Sequence, residues 1–94
     1  MMRLEGDTLK LVGAVTLETV PALIEALDSQ FKAGARRMDF ADVAEVDSSA
    51  LALALEWRRH AAGQALQVSV VNTPQAMQNL ANLYGVAELI QATA

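Results

Sequence analysis

A chain of 94 residues, 53% of them hydrophobic, is long enough for one domain, residues 1–94, with its own core. It has no cysteine and one histidine, which excludes cysteine-based and two-histidine metal sites, so we expect no metal and no cofactor. The formal net charge of −4 has the wrong sign for binding nucleic acid. The longest apolar run, residues 50–55, is far shorter than the roughly 20 residues of a membrane span. We therefore expect a cytoplasmic protein with no direct membrane insertion.

The first residues predict a β-hairpin. Leu4 and then residues 8–12 follow the alternation of apolar and polar side chains that half-buried strands show. Gly6 and Asp7 between them form a tight-turn signal. Gly13 is predicted to end the second strand.

A helix is predicted next, with Thr16 as its N-cap and Pro21 in its first turns. Apolar residues at spacings of three and four give it one buried face, and Gly34 fits its end. The apolar stripe consists of Val20, Leu23, Ile24, Leu27 and Phe31.

Residues 37–41 alternate again and predict a strand, whereas residues 42–46 are interpreted as a loop with apolar anchors. A second helix is predicted from Ser48 to about Ala62. Its sheet-facing stripe is predicted to contain Leu51, Ala54, Leu55, Arg58 and Ala62.

Leu53 and Trp57 lie four residues apart on a different face of this second helix. They reach a neighbouring helix, or they form part of an apolar patch that receives another protein. Because the other stripe already supplies a surface for the sheet, we expect at least one of the pair to face a partner.

The junction before this helix is the candidate functional stretch. Asp47 or Ser48 is a suitable N-cap, because either side chain can accept a free backbone N–H of the first turn. The same N–H groups and the helix dipole would tolerate a phosphate at Ser48 or Ser49. Capping alone and a phosphate-bearing site both remain open at this point.

The last third of the chain predicts one strand and one helix. Residues 66–71 are the most strand-like run and are expected to lie centrally in the sheet. Thr73 is predicted to cap a helix with Pro74 at its first position, and Gly85 to interrupt it before one further helical turn. Strands that alternate with helices predict an α/β sandwich, with a mixed sheet of about four to five strands and helices packed against it.

The chain resembles the STAS domain, the fold of bacterial anti-sigma-factor antagonists, over nearly its whole length. Within that family it is most similar to MlaB-type proteins. Three stretches carry the resemblance: Val46-Asp47-Ser48-Ser49-Ala50-Leu51-Ala52-Leu53, Glu56-Trp57-Arg58, and Asn72-Thr73-Pro74 together with Leu83-Tyr84-Gly85-Val86.

The resemblance implies a non-enzymatic accessory subunit that binds and stabilises or regulates the ATPase of an MlaFEDB-type phospholipid ABC transporter. That transporter maintains outer-membrane lipid asymmetry, so the subunit would lie peripheral to the inner membrane. Its partner would be the MlaF-like ATPase subunit, contacted through Asp47, Ala50, Leu53 and Trp57 at the junction and its helix.

The alternative that the resemblance implies is an anti-sigma-factor antagonist, whose partner is an anti-sigma factor kinase. In phosphorylated antagonists the acceptor serine precedes a Gly-Leu step, which corresponds to Ser49. In MlaB-like members the retained hydroxyl directly follows the aspartate, which corresponds to Ser48. This chain has Ala50 in place of the glycine. Alanine restricts the backbone at this position, which weakens the hypothesis that the protein is a phosphorylated antagonist.

Overall fold

The computed structural model describes residues 1–90, and within them it contains one four-stranded sheet, three α-helices and a short 3-10 helix. The strands are β1 (Met2–Glu5), β2 (Thr8–Val15), β3 (Arg37–Val46) and β4 (Ser69–Val71). The helices are α1 (Val20–Lys32), α2 (Ser49–Ala62) and α3 (Gln75–Leu83), and the 3-10 helix is Ala87–Ile90. The predicted α/β fold with a mixed sheet is confirmed.

The strand order in the sheet is β1-β2-β3-β4. β1 and β2 form the predicted antiparallel hairpin, and Gly6 in its turn adopts a φ of +64°, which glycine reaches without steric cost. β2, β3 and β4 are parallel. The prediction of a central strand at residues 66–71 is wrong, because only residues 69–71 pair and they lie at the edge beyond β3.

β3 is twice as long as predicted, because residues 42–46 continue the strand. Its pairing with β2 contains two irregularities at which β3 has one more residue than its neighbour. Lys10 and Val12 pair with Asp39 and Asp42, and the adjacent Gly13 and Ala14 pair with Val43 and Glu45. Each extra residue disturbs the alternation of buried and exposed side chains. This disturbance explains why the sequence of residues 42–46 resembles a loop.

The helices cover one face of the sheet. α1 and α2 each connect neighbouring parallel strands, and they contact each other. Right-handed crossovers that proceed in one direction across a sheet place both helices on the same face. The fully buried large side chains between sheet and helices are Leu9, Leu11, Val15, Phe31, Met38, Phe40, Leu53, Trp57, Val70 and Met77.

Trp57 lies at the centre of this core. It has no exposed surface, its ring meets Phe31 of α1 edge to face with centroids 6.1 Å apart, and its Nε1–H donates to the Ser69 carbonyl at 3.1 Å. Leu53 is also fully buried. The expectation that Leu53 or Trp57 faces a partner is therefore wrong: α2 packs against α1 and the 3-10 helix as well as the sheet, so more than one of its faces is covered.

The predicted sheet-facing stripe of α2 also needs correction. Leu51 and Ala54 are buried, but Leu55 is 39% exposed. The periodic pattern alone cannot tell which of two apolar faces of a helix is more deeply buried when neighbouring elements cover more than one of them.

α3 and the 3-10 helix complete the helical layer after β4. α3 begins at Gln75, because Pro74 is extended with a ψ of 153° and precedes the helix instead of starting it. The further helical turn predicted after Gly85 is present as the 3-10 helix, which contacts α2 and α3 and buries Ile90.

Truncation of Trp57 should strongly destabilise the protein. Trp57→Ala leaves a large cavity and removes the bond to β4, which costs about 3–5 kcal/mol, a large part of the roughly 5–15 kcal/mol that stabilises a typical domain. Thermal and urea unfolding followed by circular dichroism measure this loss, and Leu55→Ala on the exposed face of α2 is the control with a small effect. In the unaltered protein the single tryptophan should emit at short wavelength and resist acrylamide; long-wavelength, readily quenched emission would contradict its burial.

Candidate docking site at the start of the second helix

The candidate site lies where β2 and β3 end side by side. Val15 pairs with Val46 at the ends of these parallel strands, and the Asp47 N–H points at the Val15 carbonyl at 3.4 Å. The loop from β2 to α1 and the junction from β3 to α2 are therefore neighbours. Ligand and partner sites of α/β sheets commonly form at this carboxyl edge.

The Asp47 carboxylate links these two connections. Its Oδ2 accepts a hydrogen bond from the Leu17 backbone N–H at 2.9 Å, and its Oδ1 accepts the Ser49 backbone N–H at 2.9 Å and the Ser49 hydroxyl. The Ser49 hydroxyl, followed by the Leu17 N–H, lowers the pKa of Asp47 from its ordinary value of 3.8. The carboxylate is therefore charged at neutral pH, which strengthens each of these bonds.

Asp47, and not Ser48, supplies the cap of α2. Asp47 accepts from the backbone two residues on, whereas Ser48 has helical dihedral angles and its side chain makes no capping bond. The two serines consequently differ: Ser48 is exposed, and Ser49 is half-buried with its hydroxyl donated to Asp47. Ala50, which was also predicted to contact a partner, has no exposed surface, so that prediction is wrong for this residue.

The loop before α1 is fixed by its own hydrogen bonds. Thr19 Oγ1 accepts the Thr16 backbone N–H at 3.0 Å and donates to the Ala14 carbonyl at 3.0 Å. The prediction that Thr16 is the N-cap is wrong, because α1 begins at Val20 with Thr19 at the N-cap position and Thr16 lies in the turn before it. The loop holds Leu17 with 73% of its surface exposed.

Leu17 was not among the predicted site residues. The sequence does contain a signal for it: Leu17 is the one apolar residue in the polar turn Thr16-Leu17-Glu18-Thr19. A turn of this kind lies at the surface, so an apolar side chain in it is not expected to belong to the core. Recognising it requires knowing that Asp47, thirty residues away, binds its backbone.

The exposed face of α2 continues from Ser48. Ala52 and Leu55 follow at spacings of four and three residues and are exposed, so they lie on the same side of the helix. We call Leu17, Ser48, Ala52 and Leu55 together the junction face. It is small, partly apolar and open to solvent, and it replaces Leu53 and Trp57 as the candidate contact surface.

The Mlab, STAS domain family model matches residues 2–91. The chain belongs to the STAS domain family. STAS domains act in protein–protein interactions, and the STAS identity predicted from the sequence is confirmed. No curated relative matches the chain by sequence.

Solved structures share the fold. The chain is similar to the anti-sigma factor antagonist SpoIIAA in its unphosphorylated form, with a TM-score of 0.72, 14% identity, and coverage of 100% of this chain and 87% of that one. It is similar to the phosphorylated form of SpoIIAA, a Bacillus cell fate determinant, with a TM-score of 0.66, 16% identity and coverage of 100% and 90%. Crystallised Mglu matches over 80% of this chain but 20% of its own length, with a TM-score of 0.58 and 23% identity.

The described part of this STAS domain contains no helix long and apolar enough to cross a bilayer. Its only histidine, His60, lies on α2 three helical turns after Ser48 and Ser49. The His60 Nε2 is 3.1 Å from Asp28 Oδ1 of α1, and the ring meets Phe31 edge to face at 5.0 Å. Those contacts place His60 in the α1–α2 packing and not at the junction face.

Removing the charge of Asp47 should destabilise the protein in a pH-dependent way. Because the folded-state pKa of Asp47 is lowered, its contribution to stability is present at neutral pH and is lost as the pH falls below 3.8. Urea unfolding of Asp47→Asn should therefore show a deficit at pH 7 that shrinks at acidic pH, together with faster hydrogen exchange of the Leu17 amide. Glu45→Gln removes one charge from the same segment and is the control. A deficit that is independent of pH would contradict this role.

Proposed function

We propose that this STAS domain is a non-enzymatic, cytoplasmic subunit that binds and regulates the ATPase of an MlaFEDB-type phospholipid transporter through its junction face. The observation that carries the proposal is the exposure of Leu17, whose backbone Asp47 binds at the start of α2, and of Leu55 two turns along α2 from Ser48. The Mlab family match supports the class of partner. The protein would lie peripheral to the inner membrane through that partner.

The junction face has the properties of a docking surface for a folded protein. Its backbone is held by the hydrogen bonds of Asp47 and Thr19, so little conformational entropy is lost on binding. Its centre is apolar or small, with the exposed acidic residues Glu18 and Glu45 in the adjacent loop and strand. An apolar centre with a charged rim is the usual composition of a protein interface.

A non-enzymatic role is supported by the chemistry near Ser48. The carboxylate beside it is occupied by two backbone N–H groups and the Ser49 hydroxyl. His60, the only histidine of the sequence, is three helical turns from Ser48 and packs against α1. A hydrolytic serine requires a base within hydrogen-bonding distance.

A second candidate function is the antagonist switched by phosphorylation. It is favoured by the fold shared with SpoIIAA, which has been solved in unphosphorylated and phosphorylated forms. Two observations weigh against Ser49 as the acceptor: its hydroxyl is bound to Asp47, and Ala50 after it is fully buried. Ser48 is exposed and accessible to a kinase. A phosphate there would add a charge of about −1.5 to −2 beside Asp47.

The apolar part of the junction face is tested by Leu17→Ala. We expect the variant to keep its melting temperature, because the side chain is largely exposed, and to bind the MlaF-like ATPase at least about tenfold more weakly, which corresponds to ~1.4 kcal/mol. Titration calorimetry or a pull-down with the purified ATPase measures the affinity. Leu83→Ala is the matched control, because Leu83 is 75% exposed but lies at the end of α3. Equal affinities of the two variants would reject the junction face.

The polar part is tested by comparing Ser48→Asp with Ser48→Ala. Since Asp47 supplies the cap, neither change should alter stability strongly, but the carboxylate should weaken ATPase binding by desolvation and by repulsion from Asp47. Ser29→Asp places the same charge on an exposed position of α1 and should leave binding intact. Stoichiometric phosphorylation of Ser48 by an anti-sigma kinase, with no binding of the ATPase by the unaltered protein, would favour the switch instead.

A further inference from the structure

The outer edge of β1 has backbone groups without a strand partner among residues 1–90, since β1 ends the sheet. The pairing with β2 fixes which groups these are. The Val12 N–H donates to the Met1 carbonyl at 2.9 Å, so Met1 and Val12 form a hydrogen-bonded pair. Such pairs alternate along an antiparallel ladder, so Arg3 and Glu5 also bond to β2. The N–H and C=O groups of Met2 and Leu4 therefore point outwards from the sheet.

We propose that β1 pairs with β1 of a second copy of this chain, antiparallel and with Leu4 opposite Leu4. A two-fold axis through this pair lets each outward Leu4 N–H donate to the Leu4 carbonyl of the other copy. Met2 of each copy would then lie opposite Gly6 in the hairpin turn of the other copy. The result is one continuous eight-stranded sheet.

The charges on β1 are complementary in this register. Arg3 and Glu5 lie on the face of β1 opposite to Met2 and Leu4, and their side chains are 62% and 51% exposed. With Leu4 at the axis, Arg3 of each copy is directly opposite Glu5 of the other, at a pair without backbone bonds, where side chains approach most closely. Within each copy Arg3 Nε already contacts Glu5 Oε2 at 2.5 Å, so the association would join two ion pairs into one group of four charges of alternating sign.

Neighbouring registers are disfavoured by the same charges. The alternation of outward groups allows only shifts by two residues on one strand. A shift in one direction places Arg3 of one copy directly opposite Arg3 of the other. A shift in the opposite direction places the two Glu5 carboxylates directly opposite each other. Like charges directly opposite each other are destabilising. The register centred on Leu4 is the one that combines outward backbone groups with opposite charges.

The packing on the other face agrees with this register. Met2 and Leu4 are half-buried against the core, so part of each side chain is still exposed at the edge. Pairing would bring the two Leu4 side chains side by side and cover that part. Because the strand has four residues, the interface is far smaller than those of stable dimers, so the association is weak and depends on concentration.

The test is a charge exchange measured by sedimentation equilibrium over a wide range of concentrations. Arg3→Glu and Glu5→Arg each place like charges opposite each other twice per dimer, so each should weaken self-association at least about tenfold. An equimolar mixture of the two variants should associate again, because every opposing pair is then complementary. The double variant with both residues exchanged should also self-associate. Both positions are exposed, so neither change should unfold the protein.

Arg59→Glu and Glu56→Arg are the matched controls, because they make the same changes in net charge at an exposed ion pair of α2. In the unaltered protein, NMR shifts of the outward Leu4 amide should change with concentration, while those of the inward Arg3 amide should change less. A monomer at every concentration would overturn the proposal. Self-association that the β1 variants and the α2 variants weaken equally, or that the mixture does not restore, would overturn it as well.

Discussion

The Asp47 carboxylate is the interaction on which the shape of the candidate site depends. One of its oxygens holds the loop before α1 and the other holds the start of α2, so a single side chain sets the relative position of two connections. Each donor would otherwise be a backbone N–H without an intrahelical or ladder partner. The carboxylate satisfies these donors where the ends of two parallel strands bring them together, and Leu17 and Ser48 are exposed as a result.

The position of α2 depends on a second contact, the burial of Trp57. Its ring packs against α1 and its Nε1–H reaches the carbonyl of Ser69 on β4. A helix in contact with the sheet, with α1 and with the 3-10 helix has only a narrow exposed face. That narrow face starts at Ser48, and the core therefore determines which side of α2 is available to a partner.

Much of the fold follows from the sequence, because its signals are local. The stripe from Val20 to Phe31 gives α1, and Gly6 with Asp7 gives the hairpin. The length of β3 and the edge position of β4 depend on pairing between distant residues, and the bulges of β3 conceal the strand pattern. The sequence offers Asp47 or Ser48 as the cap of α2, and the structure selects Asp47. Leu17 joins the site through a hydrogen bond to a residue thirty positions away, which no local pattern reports.

The direction of the strands gives the paired form of the protein a definite geometry. The junction face lies at the carboxyl ends of β2 and β3, and a two-fold axis at Leu4 reverses the direction of every strand in the second copy. The two junction faces would then lie at opposite ends of the eight-stranded sheet. Such a dimer would be bivalent, and two partner molecules that are themselves connected would make their second contact at a high effective concentration. It cannot clamp one partner between its two copies.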